Sequence, residues 1–513
     1  MILKQYNAAY ELLEKNSHNI PNKIAFEDDV EKISFLELKI KVQNFSFSLL
    51  KSGLARNDKI ILCMYDTVDF PICFLGSIWA GIIPICVNTM LQKNDLKYMI
   101  DDSNAKAVIC SNELLKIFSE IKKENNKNFF IYSNFNDGDH KEVKNFFNIK
   151  EMFSKKESNH PPAQTNKNSP CFWLYSSGST GKPKGTIHLH QSLINTAQLY
   201  AVNILKIKES DVFYSAAKLF FAYGLGNSLT FPLYAGGTSI LVKDRPTPEL
   251  VANVIKDKSV TLFFGVPTLY AAMLNNNLNV KNFETVRLSV SAGEALPEHL
   301  CKKWHDVIGS KVLDGIGSTE MLHIFISNKI DDLHPGSSGK PVPGYTARLI
   351  KDNNTEAIPG EIGELEIKGP TSAKEYWNKP TKTNLTFKGE WTRTGDKYIK
   401  NNDNVYTYCG RTDDMMKVSG QYVSPFEIEA ALQSHPSVLE VAVVGKLNKD
   451  NLLKPKAYIV LNTNLKDSKK LEKELTMHVK NILTPFKYPR WYEFVLSLPK
   501  TATGKIQRYK LRD

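Results

Sequence analysis

Cysteine is scarce in this chain of 513 residues: there are seven, at positions 63, 73, 86, 110, 171, 301 and 409, and no two form a Cys-x-x-Cys pair. An odd number, so widely spread, argues against a disulfide framework and against a cysteine-based zinc site. Reduced thiols in a cytoplasmic protein are the expectation. The first residues, Met1 to Asn7, contain no apolar run, so no signal peptide is expected. Long uncharged runs are also rare. Residues 70–87 carry no charge, but Pro71, Gly76, Gly81 and Pro84 interrupt them and Asp66 and Asp69 precede them. They read as a buried helix with Asp69 as its N-cap, closed by Gly81, then a core strand over 82–87, and no membrane partner is expected. The net charge is +12, yet no basic block or basic amphipathic helix stands out. A lysine-rich surface facing small anionic ligands accounts for the charge, and no nucleic-acid partner is expected.

What is present is ordinary globular material. Hydrophobic residues make up 42% and charged residues 23%, enough for a large core. The length predicts three or four structural units. Strand-like runs at 59–64 and Ala107–Cys110 alternate with helical ones, which points to βαβ units and a largely parallel sheet. Residues 134–169 are rich in Asn, Lys, Ser and Asp, and segment 154–169, with turn formers and almost no apolar periodicity, reads as a surface connection. Strands are expected at 171–175, 259–264, 286–291 and 311–313, with a helix from Pro267. Short strands with frequent Gly and Pro turns over 336–396 suggest a small β subdomain, and another strand follows at 404–409. The last hundred or so residues read as a separate α+β unit. Its expected pieces are helices at 425–432 and 468–482 and strands at 438–445, 456–460 and 491–495. The fold class expected is therefore α/β: a large N-terminal domain of two βαβ-type subdomains plus a small β subdomain, then a small mobile α+β domain. The division is placed at 1–412 and 413–513.

The strongest local signal runs from Tyr175 to Gly185: Tyr-Ser-Ser-Gly-Ser-Thr-Gly-Lys-Pro-Lys-Gly, directly after a strand. Glycines turn backbone N–H groups toward an anion, hydroxyls add donors, and Lys182 and Lys184 add charge. Such a loop suits a triphosphate. The Walker A spacing is not met.

Further motifs follow in order: Gly293-Glu294-Ala295, Asp314-Gly315-Ile316-Gly317-Ser318-Thr319-Glu320, Thr394-Gly395-Asp396, Gly410-Arg411-Thr412-Asp413-Asp414 with Lys417 and Gly420, and Pro499 to Lys505. With the loop, this series resembles the adenylate-forming superfamily of acyl-CoA synthetases, luciferases and peptide-synthetase adenylation domains over essentially the whole chain. The resemblance implies activation of a carboxylic acid with ATP and Mg²⁺, then transfer of the acyl group to a thiol. It places Ser176, Ser177, Gly178, Ser179, Thr180, Gly181, Lys182 and Lys184 on the ATP phosphates. Gly293, Glu294, Ala295, Asp314, Gly315 and Ile316 would form the adenine slot. Thr319 would bond the α-phosphate, and Glu320, with Thr180, would hold Mg²⁺. Asp396 would take the ribose hydroxyls, or is merely a turn cap; Arg411 would reach ribose or phosphate, or is a surface ion pair. Lys505 would bridge the carboxylate and the phosphate, two anions that need a fixed cation between them. Asp413 would be the hinge about which the small domain turns. Lys417, Ser419, Gly420 and Phe486 would line the coenzyme A path. Segment 486–491 reads equally as a partly buried strand entry, and many relatives carry a basic residue where Tyr488 stands.

Residues 219–227 and 315–325 resemble those of benzoate–CoA ligases. Ala222, Tyr223, Gly224, Gly317, His323 and Ile324 would then hold a flat ring, with His323 near the para carbon. A satisfied core histidine is the other reading of His323, and His188 and His190 read as structural. No Asp stands near Ala222 to pair an ammonium group, so an amino acid substrate is disfavoured. The leading expectation is an aryl-acid–CoA ligase, monomeric or homodimeric, acting on benzoate or a hydroxybenzoate. A medium-chain or other acid, or a carrier-protein thiol as acceptor, are the alternatives, and a silent ligand-binding protein on the same fold is disfavoured.

Overall fold

The computed structural model describes residues 5–124, 129–134, 146–154, 160–178, 181–276, 279–418, 421–449, 452–462, 469–484, 487–500 and 506–512. Two large sheets organise most of the chain. The first has eight strands in the order Glu375–Tyr376, Gly181–Leu189, Pro170–Gly178, Ile83–Cys86, Lys59–Cys63, Ala107–Cys110, Phe130–Ser133, Phe146–Asn148. Its inner strands are parallel, and their residues are buried almost without a break, as expected when helices cover both faces. The second has nine strands, ordered Lys340–Pro341, Ile324–Ser327, Val312–Gly317, Leu288–Ser291, Leu262–Gly265, Val212–Ser215, Thr238–Ile240, Ile24–Glu27, Lys32–Ser34. It too is parallel at its centre, with antiparallel strands at both edges.

A five-stranded antiparallel sheet over Thr346–Ile350, Ile362–Lys368, Phe387–Lys388, Trp391–Lys400 and Tyr406–Arg411 forms the small β unit. It runs past the sequence boundary at 396 because the Tyr406–Arg411 strand pairs with Trp391–Lys400. Beyond it lie the hairpin Met416–Val418 with Gln421–Val423, the helix Pro425–Gln433, the sheet Val438–Leu447, Leu453–Leu461, Trp491–Phe494, and the helix Lys469–Ile482. These pieces share a core of their own, with Ile428, Leu432, Val441, Ile459 and Leu475 buried together. Among the described residues, Phe426 of this unit meets Tyr408 of the β sheet edge-on at 5.6 Å, and Arg508 and Arg512 both pair with Asp414 in the turn after that sheet.

One expectation needs correction. Asp69 does not cap its helix: the helix Asp69–Trp79 has Val68 at its N-cap, with no side-chain bond there. The Asp69 carboxylate is buried and pairs with Lys150 at 2.7 Å instead. Ahead of the connection at 154–169 the structure adds two elements the sequence did not suggest. Phe146–Asn148 joins the first sheet, and the helix Ile149–Ser154 follows. Polar composition hid this, but Phe147 stacks on Tyr132 at 5.0 Å and Phe153 packs on Phe45 at 5.4 Å. All seven cysteines are buried and unbridged.

Candidate active site

The described parts of the triphosphate-type segment, 175–178 and 181–185, lie in the antiparallel pair Pro170–Gly178 and Gly181–Leu189. Ser176 lies opposite Lys184, and Gly178 opposite Gly181. The Ser176 hydroxyl is buried with no hydrogen-bond partner among the described residues, an arrangement a ligand oxygen would relieve. Lys184 sits over the Tyr376 ring, its Nζ 4.2 Å from the centroid, and burial lowers its pKa against the raising influence of Glu320. The Tyr376 hydroxyl donates to Glu320 Oε1 at 2.7 Å. Tyr376 reaches this point because it pairs with Thr186 at the sheet edge.

Arg411 and Asp396 face each other across neighbouring strands at 2.9 Å, with Asp396 almost buried. Asp396 is the largest cause raising the Arg411 pKa, and Glu320 adds to it. So Lys184, Glu320, Arg411 and Asp396 form one charged cluster drawn from three sheets. The Thr394 hydroxyl accepts the Asp396 N–H at 3.1 Å.

Thr319 and Glu320 lie in the turn between Val312–Gly317 and Ile324–Ser327. The turn is held on several sides. Its Thr319 carbonyl meets His188 Nε2 at 2.9 Å, its Glu320 carbonyl accepts the Ala373 N–H at 2.7 Å, and its Met321 carbonyl accepts the Thr371 hydroxyl at 2.7 Å. Leu322 is buried at φ 69, a left-handed conformation that a branched side chain adopts only when its surroundings impose it.

Beyond Leu322 the turn enters a ring cluster. His323 is buried, with ring centroids of Phe231, Tyr200 and Tyr223 at 4.7, 5.3 and 5.6 Å. Its Nε2 lies 3.1 Å from Asn227 Oδ1, its Nδ1 has no partner among the described residues, and burial pushes its pKa down to about 3. The Tyr223 hydroxyl donates to the Val290 carbonyl at 3.1 Å and to that of Gly265 at 3.3 Å. Glycines set the wall spacing. A Cβ on Gly224 would lie 2.1 Å from the Lys218 carbonyl oxygen, and one on Gly317 2.7 Å from that of His323. Ala222 is half-buried beside them and Ile324 fully buried.

Gly293, Glu294 and Ala295 follow the parallel strand Leu288–Ser291, and Asp314, Gly315 and Ile316 lie in its neighbour, at the carboxyl ends where open α/β sheets bind ligands. Gly293 has φ 98, a conformation that favours glycine. Asp314 is fully buried, and desolvation raises its carboxyl to about 8. Lys182 is exposed beside Tyr98, and Asp413 is exposed in the turn before Met416–Val418.

Ser179, Thr180, Ser419, Gly420, Phe486 and Lys505 lie outside the described residues, and of Ser177 and Lys417 only the backbone is described. His190 is structural, its Nδ1 accepting the Ala8 N–H at 3.0 Å. His188 has a site-facing part as well, through Thr319. Tyr376 and Asn227 went unnoticed in the motifs. Only the strand pairing at Thr186 reveals Tyr376, whereas Asn227 closes the aromatic segment already singled out.

Among the described residues no group of three or more His, Cys, Asp or Glu side chains is placed to hold a metal ion. Mg²⁺ needs less: one carboxylate and substrate phosphates suffice. Glu320 meets that requirement, since Tyr376 engages Oε1 and Oε2 makes no hydrogen bond among the described residues.

The AMP-binding enzyme family matches residues 13–377, and its C-terminal domain matches 427–505. The chain belongs to the AMP-binding enzyme family. It is an AMP-forming acyl-CoA synthetase close to the benzoate–CoA ligases. It is 48% identical to the benzoate–CoA ligase of Thauera aromatica over 100% of this chain and 96% of that protein. It superposes on the crystal structure of a benzoate–CoA ligase from Burkholderia xenovorans LB400 with a TM-score of 0.90, at 42% identity, covering 99% of this chain and 100% of that one. It also superposes on an anthranilate–CoA ligase in complex with anthranoyl-AMP with a TM-score of 0.94, at 37% identity, covering 99% and 96%. Among the described residues no helix is long and apolar enough to cross a membrane.

Proposed function

We propose that the protein condenses benzoate or a hydroxybenzoate with ATP to an aryl-adenylate and pyrophosphate, then transfers the aroyl group to free coenzyme A. One observation carries this reading: a single turn holds Glu320 in the charged cluster and His323 in the ring cluster. An aryl ring lying against Tyr223, Gly224, Ala222, Gly317, His323 and Ile324 would present its carboxylate to a phosphate beside Thr319.

The loop from Ser176 to Lys184 grips the phosphates, Asp396 and Arg411 take the ribose, and Gly293 to Ala295 with Asp314 to Ile316 frame the adenine. Glu320 and Thr180, with the phosphates, would hold Mg²⁺, which would supply positive charge to the phosphate oxygens. A benzoate oxygen attacks the α-phosphorus, and the bond from that phosphorus to the bridging oxygen breaks, releasing pyrophosphate. Lys505 offsets the charge of the two anions as they meet. Rotation about Asp413, the boundary between domains 1–412 and 413–513, then removes Lys505 and opens a path along Lys417, Ser419, Gly420 and Phe486. The coenzyme A thiol gives its proton to water, its sulfur bonds to the acyl carbon, and the bond from that carbon to the phosphate oxygen breaks, releasing AMP. We place the enzyme in the cytoplasm, as a monomer or homodimer.

A panel of aryl and straight-chain acids, scored by the mass of the coenzyme A product, tests this. Benzoyl-CoA or a hydroxybenzoyl-CoA is expected to dominate. Products from straight-chain acids only would overturn the substrate class, and turnover only with a carrier-protein thiol would overturn the acceptor.

A further inference from the structure

The helix Lys93–Ser103 carries none of the motifs, yet it grips the base of the phosphate loop. Leu96, Met99, Ile100 and Ser103 form its buried face. Tyr98 and Asp102, four residues apart and so on one side of the helix, turn toward the hairpin. The Tyr175 hydroxyl donates to Asp102 Oδ2 at 2.9 Å, tying down the strand that enters the loop. The Tyr98 hydroxyl shares its proton between the Pro183 carbonyl at 3.1 Å and Asp102 Oδ1 at 3.3 Å, tying down the strand that leaves it. The Tyr98 ring also faces the Lys182 ammonium, 5.0 Å from its centroid. On the far side, the Asp102 carbonyl accepts the Trp377 indole N–H at 2.9 Å. Trp377 directly follows Tyr376, the residue bonded to Glu320.

We propose that Tyr98 and Asp102 are positioning residues that set the affinity for the nucleotide triphosphate without touching it. The proposal rests on the loop from Ser176 to Lys184 being the triphosphate site. With Tyr175 and Pro183 held in place before the nucleotide arrives, binding spends less on ordering the strands that carry Ser176, Lys182 and Lys184. The Tyr98 face keeps the Lys182 charge at the flank of the loop. Asp102 joins this base to Tyr376 through Trp377, so loop and Glu320 share one support.

Tyr98→Phe removes both hydroxyl bonds and keeps the ring; Tyr98→Leu removes the ring as well. ATP affinity by calorimetry, KM for ATP and for the acid, and Tm are measured on the full chain. ATP affinity is expected to fall about threefold in Tyr98→Phe and about tenfold in Tyr98→Leu, with KM for the acid and Tm nearly unchanged. A merely structural role would move Tm and both KM values together, and that result overturns the proposal. So does ATP affinity within about twofold of the parent in both variants. Should Tyr98→Leu fail to fold, Tyr98→Phe alone decides. Lys184→Ala tests the underlying reading separately: unchanged ATP affinity there removes the loop from the site, whereas lost affinity there with none lost at Tyr98 removes only the anchor.

Discussion

The charged cluster around Glu320 and the ring cluster around His323 lie on one turn, yet they are built by opposite means. The first gathers Lys184, Tyr376, Asp396 and Arg411 from separate strands, and each ion is held by a partner of opposite sign or a ring. The second holds an imidazole neutral by burial among rings, with glycines fixing how near the walls approach. Charge placed by paired strands tolerates small shifts, because Coulomb energy falls slowly with distance. A shaped pocket does not, because packing energy is lost within fractions of an ångström.

The largest effect that would break this contrast concerns Lys505. On the proposed role, Lys505→Ala slows acid-dependent pyrophosphate release about a hundredfold to a thousandfold while ATP still binds. Stopped assays of pyrophosphate beside calorimetry check both halves, and full activity would remove Lys505 from the reaction. Next comes Gly224→Ala. The added Cβ would meet the backbone carbonyls of Lys218 and Ala217 at 2.1 and 2.4 Å, so the ring wall must move. A loss of about a hundredfold in kcat/KM for benzoate is expected, with KM for ATP little changed. Equal losses for both substrates would mean that the two clusters are not separable.

The smallest effect is on stability. His188 supports the charged turn, and His323 lies in the ring cluster; burial depresses them to about 4 and about 3, and His190 to about 4. An unfolded imidazole takes its proton near 6.5, so between about 6.5 and 4 the unfolded chain binds more protons than the folded one. The three imidazoles therefore cost nothing above that window and destabilise the fold as pH falls through it, whereas the buried Asp314 carboxyl, raised to about 8, acts in the opposite sense. Each imidazole accounts for about 2 kcal/mol at pH 5. Tm should drop between pH 7 and 5, and the drop should be shallower in His323→Asn. A pH dependence of Tm in His323→Asn identical to that of the parent would contradict neutral burial of His323.

The same contrast governs how much could be read before the fold was known. The charged side was legible because Gly, Ser, Thr and Lys at fixed spacing have few other uses, and the Ala107–Cys110 strand declared itself by an unbroken apolar run. What was hidden depended on distant pairing. Nothing local to Glu375-Tyr376-Trp377 says that Tyr376 will reach Glu320; the register against Thr186 does. The strand Phe146–Asn148 was masked by polar neighbours, and Asp69 lost its expected capping role to an ion pair with Lys150, 81 positions away in sequence. His323 was seen as pocket wall or core residue; its geometry gives it features of both, an Asn227 bond and one unpartnered nitrogen.

The central claim is that one turn brings carboxylate and phosphate together. Mixing the enzyme with ATP and benzoate in the absence of coenzyme A tests it most directly. The account predicts one equivalent of pyrophosphate and an enzyme-bound benzoyl-AMP that later coenzyme A converts to benzoyl-CoA and AMP. Cleavage of ATP to ADP and phosphate, or pyrophosphate release that ignores the acid, would contradict it.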